Sequence, residues 1–94
     1  MEADEKTKKE AAKSIHEAAE HAGNGEYTPA LEKINETIQV VNGIFPLTFE
    51  ELQKARKFIE MYVNSEGEEK NEYTEEYIYH WLESIAEELE STIF

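Results

Sequence analysis

The feature that most constrains this chain is the spacing of its apolar residues. Four separate stretches place them three and four apart, and no stretch alternates them with period two. Steps of three and four gather side chains on one face of an α-helix, whereas a half-buried strand needs alternation. The sequence therefore predicts an all-α protein with no strand.

Each stretch carries its own punctuation. Ala11, Ala12, Ile15, Ala18, Ala19 and Ala22 predict a first helix from about Thr7 to Ala22, ended by Gly23-Asn24-Gly25. Residues 1–6 are polar and are expected to be disordered. Leu31, Ile34, Ile38 and Val41 form a second seam, with Thr28 suited to the N-cap and Pro29 to the first helical position. Ile44-Phe45-Pro46-Leu47 reads as an apolar linker. Thr48-Phe49-Glu50-Glu51 reads as a capping box opening a third helix, with Phe49, Leu52, Ala55, Ile59 and Tyr62 as its seam. After a polar loop around Gly67, a fourth helix is expected from about Thr74 to Ser91, with Ile78, Leu82, Ile85 and Leu89 inward.

Four helices with short connections predict a small four-helix bundle of two antiparallel helical hairpins, forming a single domain over residues 1–94. Charged residues make up 33% of the chain and apolar ones 39%, which leans towards disorder. The ten Phe, Trp and Tyr residues and the ordered seams pull towards a packed core. A chain of this length buries roughly 60–65% of its unfolded surface, enough for one thin core but not for a deep catalytic cavity.

Gly25-Glu26-Tyr27-Thr28 returns 46 positions later as Asn71-Glu72-Tyr73-Thr74, each ahead of the second helix of a hairpin. Gly25-x-Tyr27-x-x-Ala30-Leu31, with Ile34 and Ile38, also resembles part of a tetratricopeptide helix pair. The aromatic residues of that repeat's first helix are missing and no roughly 34-residue period follows. The resemblance implies a shared way of packing two helices.

Composition excludes several function classes. A net charge of −13 repels nucleic-acid phosphates, so direct DNA or RNA binding is not expected. No Cys is present, which excludes disulfides and thiolate metal sites. No apolar run approaches the ~20 residues of a membrane span, and no secretory signal is evident; the chain reads as cytoplasmic and free of the membrane.

The candidate catalytic and metal motifs fail on geometry. His16 and His21 are five apart, which leaves them about 140° apart on a helix, whereas a zinc-binding helix needs two His four apart. His80 can be drawn with Glu83 and Ser84, but nothing supplies an oxyanion hole or a strained nucleophile elbow. No phosphate-binding glycine loop occurs. The chain is read as a non-enzyme with no cofactor and no metal.

Charge placement is the distinctive feature. Residues 65–92 hold ten Glu and one Lys, a net −9, while the rest of the chain carries −4. On the fourth helix Glu76, Glu83, Glu87 and Glu90 follow steps of seven, four and three, so they are expected to share one outward face. Glu68, Glu69 and Glu72 extend it, and Tyr73 and Tyr79 stand near its edge. Carboxylates spaced along a helix can imitate a phosphate backbone and meet the Lys/Arg groove of a nucleic-acid-handling protein. The expected partner surface is therefore Glu68, Glu69, Glu72, Tyr73, Glu76, Tyr79, Glu83 and Glu87. Such a small acidic protein would inhibit its basic partner. In size and charge it is similar to phage- or mobile-element-encoded inhibitors, including anti-CRISPR proteins that act as DNA mimics.

Three plainer readings stand beside it. The acidic face can serve solubility alone. An immunity- or antitoxin-like bundle would recognise its toxin through a partly apolar surface. A dimeric adaptor would close a two-fold interface over Phe45, Phe58, Tyr62, Tyr77 and Phe94, with Trp81 and Tyr77 otherwise expected in the core.

Overall fold

A computed structural model describes residues 2–66 and 72–92. Four α-helices make up this part of the chain: α1 (Glu2–Gly23), α2 (Tyr27–Val41), α3 (Pro46–Glu66) and α4 (Glu72–Glu90). No strand occurs among the described residues. The helices pack in a ring, α1 on α2, α2 on α3, α3 on α4, and α4 back on α1. The result is a small bundle of 45 × 18 × 17 Å.

α1 begins at Glu2, so residues 2–6, expected to fray, continue the helix ahead of Thr7. Its alanines explain its place in the ring. Ala11, Ala12, Ala18, Ala19 and Ala22 are all buried, together with Ile15. Small side chains let a helix approach its neighbours closely, and α1 packs against both α2 and α4. At its end, a methyl placed on Gly23 would lie 3.2 Å from Tyr79 Cδ2 of α4.

The α1–α2 turn is built by Gly25. The Glu26 N–H donates to His21 O at 2.8 Å, and the Gly25 N–H donates to Ala22 O at 3.0 Å, with Gly25 at φ +77°. This left-handed termination satisfies two carbonyls that α1 would otherwise leave open. It also fixes the start of α2. Glu26 already faces back to α1, so the next residue, Tyr27, is the first helical one. Thr28 thus sits inside the helix, correcting its expected N-cap role, and the N-cap position is held by Glu26 without a side-chain hydrogen bond. Pro29 moves from the first helical position to the third, where its missing N–H still costs nothing.

The capping box expected at Thr48 is corrected in the same way. Phe45 is buried at 5% exposure, and its carbonyl accepts the Phe49 N–H at 2.9 Å. Pro46 takes the first position of α3, as its fixed φ favours. Thr48 therefore faces inward within the first turn and is buried. Pro46 and Leu47, read as linker, belong to the helix.

One core joins the four helices. Ile15, Ile34, Val41, Leu52, Ile59, Ile78, Leu82 and Leu89 are all essentially sealed from solvent. The α2 seam keeps Ile34, Ile38 and Val41 of the expected line and departs from it at Leu31. Ala30, Ile34, Thr37, Ile38 and Val41 are buried, whereas Leu31 is only partly so. Thr37 is tolerated inside because its hydroxyl donates to Lys33 O at 2.7 Å.

Candidate binding surface

Residues early in α1 meet residues late in α4, and the reverse. Lys8 Nζ donates to Thr92 O at 3.0 Å near one end. His16 sits in the middle, and Gly23 lies beside Tyr79 near the other end. This register decides what happens to the glutamates of α4, because it sets what each one faces across the seam.

Glu83 and Glu90 converge on a single imidazole. Glu83 Oε2 lies 2.5 Å from His16 Nδ1, and Glu90 Oε1 lies 2.6 Å from His16 Nε2. The hydrogen bond to Glu83, then that to Glu90, raises the His16 pKa above its usual 6.5. An acceptor at each nitrogen favours the protonated ring, which can donate from both N–H groups. Lys9, Lys13, Glu17 and Glu20 line the same stretch of the seam, so Glu20 borders both it and the cleft beyond. The single outward row of Glu76, Glu83, Glu87 and Glu90 is thereby corrected. Glu83 is half-buried and bonded to α1, whereas Glu76, Glu87 and Glu90 are all exposed, Glu90 with one oxygen on His16.

At the other end of the seam the glutamates have no such partner. An open cleft of about 550 Å³ lies between the end of α1 and the start of α4. Glu20, Gly23, Asn24, Glu72, Glu75, Glu76 and Tyr79 line it. Among the described residues, none of its four glutamates forms an ion pair. Tyr27 stands behind Glu75, and burial, with Tyr62 and Glu75 nearby, pushes its hydroxyl up to about 12. It is neutral at physiological pH. Glu72 and Glu75 also lie in the first turn of α4, where the helix dipole favours negative charge. No group of three or more His, Asp or Glu among the described residues is arranged to hold a metal ion.

Of the eight residues expected to form the partner surface, Glu68 and Glu69 lie outside the described residues. Glu72, Tyr73, Glu76 and Glu87 are exposed. Tyr79 is half-buried and packs on the core beside Gly23, so it forms a wall of the cleft. Glu83 is tied to His16. Two cleft residues escaped the sequence reading. Glu20 belongs to α1, and Glu75 faces the α1–α2 turn with its Oε1 near Gly25. Only the α1–α4 register could have joined them to Glu72 and Glu76.

The histidine motifs dissolve in the structure. His16 bonds across to α4, His21 bonds to Glu26 at 2.9 Å, and Glu17 pairs with Lys33 at 3.6 Å. His80 is exposed and lies edge-on to Tyr79, while its drawn partner Glu83 is engaged by His16.

The far flank of α4 is aromatic. Phe58 of α3 stands edge-on to Tyr77 and to Trp81, with centroids 5.6 and 5.7 Å apart. Tyr77 remains 50% exposed and Met61 61% exposed, while Trp81 packs partly on the core. Tyr77 is therefore a surface residue where a core one was favoured. The five-residue patch is corrected too, since Phe45 is buried and Phe94 lies outside the described residues. The tandem tyrosines also diverge. Tyr27 packs edge-on against Tyr62 at 5.6 Å, whereas Tyr73 is 79% exposed.

No helix among the described residues is long and apolar enough to cross a membrane. No protein-family model, curated protein or solved structure matches the chain.

Proposed function

We propose that this is a non-enzymatic, cytoplasmic binding protein, in which two antiparallel helical hairpins hold an acidic flank against the basic surface of a nucleic-acid-handling partner. It would act there as an inhibitor that imitates the charge of DNA, as phage-type anti-defence proteins do. The observation that carries this reading is the division of the α4 glutamates. Glu83 and Glu90 share the single ring of His16, whereas those of the cleft, Glu72, Glu75 and Glu76 with Glu20, form no ion pair among the described residues. α4 contains seven Glu and no Lys or Arg. Packing four carboxylates around one cleft costs stability through repulsion. That cost is recovered when Lys or Arg side chains enter the cleft, and long-range attraction speeds their arrival.

The reading is tested with the tagged protein as bait in a cell lysate, beside the Glu72→Lys/Glu76→Lys variant. Nucleic-acid-binding proteins should be retained by the wild type, lost by the variant, and released by added duplex DNA. Equal retention on both baits, or no release by DNA, contradicts it.

A further inference from the structure

We infer that His16 is a proton-operated gate on the acidic flank: when its ring loses a proton, Glu90 is released to the partner's cations and the flank lengthens along α4. This rests on the acidic-flank reading and adds its regulation.

The gate is one ring between two carboxylates. Glu83 Oε2 lies 2.5 Å from His16 Nδ1, and Glu90 Oε1 lies 2.6 Å from His16 Nε2. Both contacts are satisfied only by a ring with a proton on each nitrogen. A neutral ring keeps one N–H, so one carboxylate then faces a bare nitrogen lone pair and that contact turns repulsive. Glu90 is the one that leaves. Its side chain is 51% exposed against 25% for Glu83, so water replaces its lost partner at less cost. The trio passes from one net negative charge to two.

The surroundings leave the proton on His16 as the variable. α4 presents Glu83 and Glu90, and α1 presents Lys9, Lys13, Glu17 and Glu20 along the same groove. α2, the other helix packed on α1, brings Lys33, which reaches Glu17 at 3.6 Å. Of these side-chain types, imidazole is the one whose ordinary pKa falls between about pH 5 and 8. The hydrogen bonds to Glu83 and Glu90 move its change in charge to the alkaline side of 6.5.

Position links the gate to the cleft. Glu20 lines both the groove at His16 and the cleft of Glu72, Glu75 and Glu76, so the released carboxylate extends the same acidic surface. The linkage runs both ways. A cation that draws Glu90 from the ring weakens the ring's hold on its proton, so partner binding expels a proton from His16.

The test uses the full chain and N-acetylated deca-arginine, whose charge is constant near neutral pH. Affinity is read by calorimetry at pH 6 and pH 8.5 at one ionic strength, and the histidine titrations by NMR with and without peptide. Wild-type affinity should rise about two- to fivefold from pH 6 to pH 8.5. His16→Gln should lose most of that rise and bind more tightly than wild type at pH 6. His80→Gln removes an exposed ring from α4 and should keep the wild-type rise. Bound peptide should lower the His16 pKa more than those of His21 and His80. The NMR arm uses the wild type alone, so it decides the matter even where His16→Gln loosens the bundle. An equal rise in wild type and His16→Gln, or an equal shift at all three histidines, overturns the inference. If Glu72→Lys/Glu76→Lys still abolishes binding in that case, the acidic-flank reading survives without the gate. If that variant binds as tightly as wild type while the His16 effects hold, the release of Glu90 stands and the cleft reading fails.

Discussion

His16 and Glu83 lie 67 positions apart in the chain and 2.5 Å apart in space. Glu90 closes on the other ring nitrogen, so one imidazole ring ties α1 to α4 and engages two of the α4 glutamates, Glu83 half-buried and Glu90 still exposed. The acidic flank therefore has a boundary, set by a histidine rather than by the glutamates themselves.

That clamp predicts a pH dependence. Contact with Glu83 and Glu90 raises the folded-state His16 pKa above its ordinary 6.5. The extra stability is complete below that ordinary value and disappears as the pH rises through the raised one. The wild type should melt at a higher temperature at pH 6 than at pH 8.5, by a larger margin than His16→Gln does. The clamp is partly exposed, so its contribution is screened to about 1 kcal/mol or less. Parallel melting curves at both pH values check this, and equal margins in the two proteins refute it.

Glu76→Lys should separate stability from binding. Glu72 and Glu76 lie four apart on α4, both unpaired among the described residues. Reversal turns a repulsive pair into an attractive one with Glu on the N-terminal side, worth about 0.5 kcal/mol in favour of folding. Chemical denaturation should show the variant slightly more stable, while partner binding falls.

Gly43→Ala should destabilise by about 1 kcal/mol through the backbone alone. Gly43 has φ +81° and nothing within 4 Å of an added methyl, so no clash contributes. A urea midpoint shift without a change in slope checks it.

The alanine stripe should resist enlargement. Ala18 and Ala19 have no solvent exposure where α1 meets its neighbours. Ala19→Leu forces α1 away from the seam and should cost about 1–3 kcal/mol. Leu82→Ala, at a sealed core position of α4, opens a cavity and should cost about 2–5 kcal/mol. Thermal denaturation of both variants tests whether this seam is packed as tightly as it looks.

The helices were legible because each carries its own period, and the core residues Ile15, Leu52, Ile59, Ile78, Leu82 and Leu89 follow from that period alone. Helix starts were harder to read. Thr28 and Thr48 have the chemistry of caps, yet Gly25's left-handed turn and Pro46's fixed φ start the helices earlier. Local propensity proposed several starts, and the neighbouring turn selected one.

The surface was legible only in part. Glu72, Tyr73, Glu76 and Glu87 could be placed outward from α4 alone. Glu83 could not, because its environment depends on a histidine of α1, and a helical projection of one element carries no information about the next. The same holds for Glu20 in the cleft and for Phe58 beside Tyr77.

The most direct measurement is the salt dependence of affinity for the captured partner, with wild type and Glu72→Lys/Glu76→Lys compared by calorimetry between about 50 and 200 mM salt. Wild-type affinity should fall steeply across that range, and the variant should bind weakly with a shallow slope. Equal affinities, or a wild-type affinity indifferent to salt, would contradict the assignment of the cleft glutamates to a basic partner.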